Sequence, residues 1–300
     1  MSRSFDKKNV ILVQINEDDL LSFLVDKDLT DDGTIKCRTK DLAELLINTI
    51  PEYVFAEYQN PDIPSNSVSM VREAAKCMYT VKNRDEITYT DDYARSKSTK
   101  GDFGEVLLHL LLREFKGTIP LVSKAYLKDS PDVPAHGFDV VHVSPQEKIL
   151  WLGESKFYTD SKAGIRGLIK DLKGHINQNY VDRQFAFIMK NVTNNSIPGR
   201  NEWIEILNDH AAFSARIKML NIPMLCIYEH DIYNHFEDLK TDEAVSYHKT
   251  NVKKLKKLFD RLNTHPLKSN LNIILMLFPI ANKQELLREL EHRLYCMQQI

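Results

Sequence analysis

Hydrophobic residues change their spacing along the middle of this 300-residue chain, and each spacing predicts a different element. From Asp102 to Phe115, apolar side chains recur at three- and four-residue intervals, which predicts an amphipathic helix. Residues 138–143 and 149–158 are instead rich in β-branched and apolar side chains, which predicts two strands. The turn-forming sequence Ser-Pro-Gln-Glu-Lys separates these strands, so they are expected to pair as an antiparallel hairpin.

The same patterns predict helices and strands over most of the remaining chain. Near the hairpin they predict a strand over 119–126, a helix over 163–180 and a strand over 184–190. Elsewhere, strands are predicted over 10–15, 223–228 and 271–278, and helices over 39–50, 68–81, 203–220, 244–262 and 283–297. Polar segments at 59–67, 82–101 and 191–201 are predicted to be loops or linkers.

Three charged side chains, Asp139, Glu154 and Lys156, fall on the predicted hairpin. If the turn centres on Gln146 and Glu147, Asp139 lies directly opposite Glu154, roughly 5 Å away. Lys156 shares a face with Glu154, because side chains two residues apart on a strand point the same way. The second strand is otherwise apolar on both faces, so it is expected to be buried, where unpaired charges are costly. Two carboxylates and one ammonium form the set that a metal-dependent phosphodiesterase needs, the PD-(D/E)xK pattern of restriction-type nucleases.

Other interpretations of these acidic residues stay open at this stage. A short acidic-x-Lys match often arises by chance, and Glu154 and Lys156 would then be an exposed pair at a strand end, with Asp139 near a turn. A further acid, Glu105, lies in the first turn of the predicted helix over 102–115. It is expected either to form a capping box with Asp102 or to reach the site as a further metal ligand or base.

The chemistry that these residues predict is hydrolysis of a phosphodiester with Mg²⁺ or Mn²⁺. Asp139, Glu154 and the main-chain carbonyl of Ser155 are the predicted metal ligands, and Glu105 is the candidate for holding a second ion. The ion would polarise a phosphoryl oxygen and lower the pKa of water. Lys156 would position that water and stabilise the charge that grows on the phosphorus.

The order of helix, three strands, helix and strand over residues 102–190 is that of the restriction-endonuclease core. The predicted fold class is therefore α/β, a restriction-endonuclease-like, PD-(D/E)xK mixed sheet flanked by helices, with N-terminal α/β and C-terminal extensions. We expect an acidic N-terminal region over residues 1–96, and a nuclease core with its C-terminal strand and helices over residues 97–300.

Charge is uneven along the chain, although the formal net charge is only −2. Residues 1–96 hold 12 Lys and Arg against 18 Asp and Glu, whereas residues 97–200 hold 15 against 11. A stand-alone DNA-binding protein is usually more basic than this. The balance favours a protein that a partner brings to DNA, or one that its own acidic N-terminal region restrains.

Basic side chains form a stripe on the helix predicted over 163–180 and its start, at Lys162, Arg166, Lys170, Lys173 and His175. A solvated helix face explains such a stripe, and so does a track for phosphate groups. The basic helix predicted over 244–262 leaves the same choice between DNA, a protein partner and water.

Cysteine usage and hydropathy predict a cytoplasmic protein without membrane contact. The four cysteines are scattered and include no Cys-x-x-Cys, which is typical of reduced thiols. The first residues are charged rather than apolar, unlike a signal peptide, and the longest apolar run, 273–281, is too short to cross a bilayer. The chain has no GxxxxGK[ST] motif, so any use of ATP would have to come from another chain.

Four segments of the chain resemble the HamA nuclease subunits of the Hachiman anti-phage defence system. They are GDFGEVLLHLLL (101–112), HGFDVVHV (136–143), LWLGESKFY (150–158) and NIILMLFPIANKQELLRELE (272–291), and the resemblance extends from about Tyr93 to the C-terminus. It implies a DNA nuclease held in complex with a superfamily 2 helicase, HamB, and licensed when phage DNA appears. The acidic-x-Lys motif of the family falls on Glu154 and Lys156, and its upstream aspartate falls on Asp139.

Two rival functions remain alongside this one. The chain could be a catalytically silent subunit that binds DNA or restrains the helicase with a nuclease fold. It could also be a stand-alone repair or Holliday-junction nuclease, which would be active without a partner.

Overall fold

Residues 10–55, 67–78, 102–122, 137–191, 200–208 and 213–300 are described by the computed structural model. The strands in these ranges are β1 Ile11–Asn16, β2 Leu20–Val25, β3 Lys27–Leu29, β4 Ile35–Cys37, β5 Ile119–Val122, β6 Val140–Ser144, β7 Ile149–Phe157, β8 Leu220–Glu229 and β9 Asn272–Ile280. The helices are α1 Thr39–Phe55, α2 Ser67–Met78, α3 Asp102–Lys116, α4 Ser161–His175, α5 Gln178–Asn191, α6 Arg200–Asn208, α7 Phe213–Ile217, α8 Ile232–His235, α9 Asp242–Leu262 and α10 Lys283–Gln299.

Seven of these strands form one mixed sheet in the order β1-β2-β9-β8-β7-β6-β5, and β3 and β4 form a separate hairpin. The strands from β2 through β9 and β8 to β7 are parallel neighbours, whereas β1, β6 and β5 pair antiparallel with theirs. Helices pack against this sheet, which confirms the predicted mixed α/β sheet with flanking helices. No helix in the described ranges is long and apolar enough to cross a membrane.

Strands β1 and β2 belong to the same sheet as the strands of the C-terminal half of the chain. β2 pairs with β9, and α1 packs against both α3 and α10. Strand β2 was missed by the sequence analysis, although it is buried at every position because it lies between β1 and β9. The predicted boundary at residue 96 lies in 79–101, outside the described residues, so the two-region division stays a prediction.

The predicted strand over 184–190 is wrong, because these residues are part of helix α5. Val181, Phe185 and Ile188 are buried at four- and three-residue spacing, which is the helical period. The long helix predicted over 163–180 is accordingly two helices, broken at Ile176 and Asn177. The Asn177 side chain accepts the Tyr180 N–H at 3.0 Å and so starts the second helix. The last strand of the predicted core order is therefore β8, reached after α5, α6 and α7.

Helix α1 also differs from its prediction, because it continues past Pro51 to Phe55 instead of ending at Ile50. Proline removes one backbone donor from a helix, but burial of Tyr53 and Val54 on the core face offsets that cost. The helical part of the segment predicted over 203–220 ends earlier than expected, at Ile217, since Leu220 already begins β8. Residues 59–66, 79–101, 123–126 and 192–199 of other predicted segments lie outside the described part of the chain.

Buried polar contacts tie α1 to α3 and to the sheet. Glu52 forms an ion pair with Arg113 and lies 3.3 Å from His109 Nε2. The other nitrogen of His109 lies 2.9 Å from His142 Nε2 on β6, and His142 Nδ1 lies 2.8 Å from Thr118 Oγ1. Burial lowers the pKa of His109 to about 3 and that of His142 well below its ordinary value, so both rings are neutral. These contacts fix the position of α1, so that Tyr53, the residue after Glu52, lies in the core of the molecule.

Candidate active site

The β6–β7 hairpin has the register that the sequence predicted. Val140 lies opposite Gly153 and Ser144 opposite Ile149, so the turn centres on Gln146 and Glu147. Gly153 is required in this pairing, because a Cβ there would lie 2.6 Å from Val140 Cγ2 and 2.8 Å from Leu108 Cδ2. The missing side chain lets α3 approach the sheet immediately beside Glu154.

Asp139 directly precedes β6 and lies just beyond the pair of Val140 with Gly153, which is the hairpin pair farthest from the turn. Its N–H donates to the Gly153 carbonyl at 2.9 Å. Its carboxylate Oδ2 accepts the Ser155 N–H at 2.8 Å and the Ser155 hydroxyl at 3.0 Å. The residue is only 8% exposed, so the aspartate is held inside the molecule rather than in an exposed turn.

Glu154 is 3% exposed, and its Oε1 lies 2.7 Å from His175 Nδ1 on α4. Burial raises the pKa of Glu154 to about 7, and the negative charge of Asp139 adds to this rise, while His175 and Lys156 act against it. The hydrogen bond that His175 makes to the Glu154 carboxylate in turn raises the pKa of His175. Near neutral pH, both the protonated and the ionised form of Glu154 are therefore populated. A cation close to Glu154 favours the ionised form.

Lys156 forms an ion pair with Asp171 of α4. Burial by itself lowers the pKa of Lys156, but the hydrogen bond and charge of Asp171, together with the charges of Asp139 and Glu154, raise it above its ordinary value. The ammonium is thus charged. Gly167 makes the contact possible, because a Cβ there would lie 3.3 Å from Lys156 Cδ.

Helix α4 is placed against these two residues by local sequence and by aromatic packing. Asp160 caps its start by accepting the Ala163 N–H at 2.6 Å, three residues after β7 ends. At its other end the His175 ring stacks on Tyr180 with centroids 4.6 Å apart, and Phe138 packs edge-on against both rings. The imidazole that contacts Glu154 is therefore held from two sides.

Glu105 lies on the opposite side of β7 from α4. A Cβ on the neighbouring Gly104 would lie 3.2 Å from Ser155 Oγ, whereas α4 contacts Lys156, and consecutive strand residues point to opposite faces. Glu105 Oε2 accepts the Tyr53 hydroxyl at 2.6 Å. Burial, and then the charges of Glu105, Asp102 and Asp139, raise the pKa of Tyr53 well above its ordinary value. Glu105 is 7% exposed, and its charge and that of Asp139 both act on the Tyr53 hydroxyl.

The model of the HamA family matches residues 3–294 of the chain, which is nearly its whole length. The chain belongs to the HamA family. The family places it in the Hachiman anti-phage defence system. None of the curated proteins compared with this HamA-family chain matches it.

The donor set of this HamA-family protein fits a hard divalent cation with two protein carboxylates. Across the described residues, no three or more His, Cys, Asp or Glu side chains are arranged to hold a metal ion. Asp139 and Glu154 nevertheless form a buried pair whose mutual repulsion contributes to the raised pKa of Glu154, and a cation would relieve that repulsion. Oxygen ligands suit Mg²⁺, which keeps several waters and usually takes one or two carboxylates from the protein. The main-chain carbonyl of Ser155 is the remaining predicted ligand.

Three residues near the site carry no motif that the sequence analysis could use. Asp171 and His175 lie on α4 and contact Lys156 and Glu154, respectively. Tyr53 lies on α1 and contacts Glu105, which is 52 residues later in the sequence. His175 was noted only as a member of the basic stripe. The spacing of Asp171 and His175 by four residues on one helix, just after β7, is the only signal that points to them.

We expect Tyr53→Phe to lower the free energy of unfolding by about 1–3 kcal/mol, because the buried Glu105 carboxylate loses a hydrogen-bond donor. Urea unfolding of the purified chain measures this loss. Tyr158→Phe is the matched control. The Tyr158 side chain is 40% exposed, so water can hydrate any group that the lost hydroxyl contacted. Equal stability of the two variants would show that the contact between Tyr53 and Glu105 contributes nothing.

Proposed function

We propose that this HamA-family chain is a metal-dependent DNA nuclease of the PD-(D/E)xK type, gated by a helicase subunit with which it forms a complex. The observation that supports the proposal is the burial of Asp139 and Glu154 beside Lys156 at the end of one hairpin. Two buried carboxylates with a charged ammonium are costly in a protein core and are typical of sites that handle a cation and a phosphate.

Each residue has a definite role in the proposed hydrolysis. Asp139, Glu154 and the Ser155 carbonyl would hold Mg²⁺ or Mn²⁺. Glu105, which lies on the α3 side of β7, is the candidate for holding a second ion. When bound, such an ion supplies charge stabilisation and a water of lowered pKa. The ammonium of Lys156 donates hydrogen bonds to the attacking water and to the phosphate oxygens, where negative charge grows. The hydrogen bonds from Ser155 hold the Asp139 carboxylate in place throughout.

The contacts of α4 suggest how such a nuclease would be gated. Glu154 contacts His175, and Lys156 contacts Asp171, so one helix engages both charged groups of the site. A phosphate that approaches Lys156 has to compete with the Asp171 carboxylate. A partner that shifts α4 would change both contacts together, which supports a complex in which the helicase subunit licenses cleavage.

A second candidate is a silent subunit that binds DNA or restrains the helicase without cutting. The specific observation in its favour is that the described residues include no ready cluster of three metal-binding side chains. Such a subunit would keep the hairpin and its ion pairs as structure only.

The test uses the complex of this chain with its helicase partner, co-purified from the native host. We expect linear DNA to be degraded with ATP and Mg²⁺, and EDTA to stop the reaction. Glu154→Ala is expected to abolish degradation while the complex still assembles. Glu147→Ala, which removes an exposed glutamate from the turn of the same hairpin, is expected to leave degradation unchanged.

Two other results would overturn the nuclease proposal or its gated form. A complex that unwinds DNA but degrades none with Mg²⁺ or Mn²⁺ would favour the silent subunit. Full degradation by this chain alone, with a preference for a DNA structure, would favour a stand-alone junction nuclease.

A further inference from the structure

Exposed cations cluster on two neighbouring helices, α4 and α9, which pack against each other. Strands β7, β8 and β9 are adjacent and parallel, so the helices that connect them cross on one side of the sheet when the crossovers have the usual right hand. We call two rows of exposed basic side chains on these helices the two-helix basic face. It consists of one row on each helix.

The row on α4 holds Lys162, Arg166, Lys170 and Lys173, all of them exposed. Their spacing of four, four and three residues puts them on one side of the helix. The only acid of α4 is Asp171, and it pairs with Lys156 in the site. Within the described residues, none of the four cations has a carboxylate partner.

The row on α9 holds Lys249, Lys253, Lys257 and Arg261, spaced by four residues each and also exposed. None of these four pairs with a carboxylate in the described part of the chain. Lys256 on the same helix shows the contrast, because it pairs with both Asp19 and Asp260. The four cations of this row therefore lie on one exposed side of α9, whereas Lys256 lies on its flank.

Uncompensated charge of one sign is unusual on a chain whose net charge is −2. Ordinary solvated surfaces intersperse both signs, because a cluster of like charges repels itself. The α4 and α9 rows together hold eight cations. Such a cluster is better explained as a binding surface for an anionic polymer than as an ordinary solvated surface.

The spacing of the rows fits a nucleic-acid backbone. Residues four apart on a helix advance by about 6 Å along its axis, and the phosphates of one DNA strand advance by about 3.4 Å each. Each basic row can therefore meet about every second phosphate over three to four turns of helix. Lysine and arginine contacts of this kind are independent of sequence.

We propose that the two-helix basic face binds the backbone of double-stranded DNA without sequence preference. Because α4 also supplies Asp171 and His175 to the contacts with Lys156 and Glu154, DNA on this face lies beside the candidate site. The inference deepens the proposed function by naming the surface that holds the substrate, and it rests on that function only for the consequence of binding.

The test compares the full chain with a variant in which Arg166, Lys170, Lys253 and Lys257 are each replaced with Gln. A matched control replaces Lys40, Lys76, Lys218 and Lys268, four exposed lysines that are not part of α4 or α9, with Gln. Binding to a short fluorescent duplex is measured by anisotropy in EDTA, between about 50 and 200 mM NaCl, so that nuclease activity has no part in the result.

The variant on the two-helix basic face is expected to bind about 10- to 100-fold more weakly at about 100 mM NaCl. The slope of log affinity against log salt is expected to fall by about 3 to 4, since each phosphate contact accounts for about 0.9. The control variant is expected to keep the affinity and slope of the natural chain. Thermal melting of both variants verifies that they fold.

Three results separate this inference from the proposed function. Weaker binding by the face variant, with no cleavage by any form of the complex, supports the surface while overturning the nuclease. Equal binding by the two variants, or no salt-dependent binding by the natural chain, overturns the surface whether or not the complex cleaves DNA. If the face variant binds DNA normally but no longer assembles with the helicase subunit, the face is a protein-docking surface and the inference is wrong.

Discussion

Lys156→Ala is expected to lower the rate of DNA cleavage by the assembled complex by about 100- to 1,000-fold. The ammonium is charged, because Asp171, Asp139 and Glu154 raise its pKa against the effect of burial, and it shares a strand face with the proposed metal ligand Glu154. Its loss removes charge stabilisation that develops with the transition state rather than with ground-state binding. Single-turnover rates at saturating Mg²⁺ measure the effect.

The loss at Lys156 should appear in the rate and not in the metal requirement. Lys148→Ala is the matched control, since Lys148 lies in the exposed turn of the same hairpin. The Mg²⁺ concentration for half-maximal rate is expected to change little, because Lys156 is not a proposed ligand. A Lys156→Ala complex that cleaves DNA at the natural rate would remove this residue from the mechanism.

Glu154→Gln is expected to stabilise the metal-free chain by about 3 kcal/mol at pH 8 and to change its stability little at pH 4. The folded state holds the proton of Glu154 more tightly than the unfolded state, since burial and Asp139 raise its pKa from 4.5 to about 7. Stability from this residue is therefore fully present below about pH 4.5 and is lost as the pH rises to about 7. Glutamine cannot ionise, so the variant avoids that loss.

Urea unfolding at several pH values in EDTA checks this difference. Glu147→Gln in the exposed turn is the control, and it should follow the natural chain at every pH. A variant that differs from the natural chain by the same amount at pH 4 and pH 8 would contradict the assigned pKa. A gain in stability at pH 8 but not at pH 4 would show that the ionised Glu154 destabilises the fold, as charges in sites under functional selection often do.

The hairpin was the most predictable part of the structure. A turn sequence between two apolar runs sets the register of an antiparallel pair, because the strands are covalently joined and close in sequence. Helix α3 was equally predictable, since its apolar positions have a clear helical period. Helix α5 was not, because the short apolar run from Phe185 to Met189 suits either a strand or a buried helix face.

Contacts from distant parts of the chain were beyond the sequence analysis. Strand β2 has no pattern that names β9 as its partner, although the two are adjacent in the sheet. Tyr53 lies beyond Ile50, where its helix was expected to end, so its contact with Glu105 was not predicted. Such contacts depend on how elements pack, and periodicity within one element carries no information about that packing.

The sequence by itself determined that Asp139, Glu154 and Lys156 share one hairpin, because alternation and turn composition act over short distances, and it is the source of the prediction that these residues carry the chemistry. Only the tertiary structure decided what surrounds them. Burial and the charge of Asp139 raise the pKa of Glu154. Helix α4 pairs Asp171 with Lys156, and α1 brings Tyr53 to Glu105. Desolvation and charge pairing depend on every element packed around a group, so they exist only once the whole chain has folded.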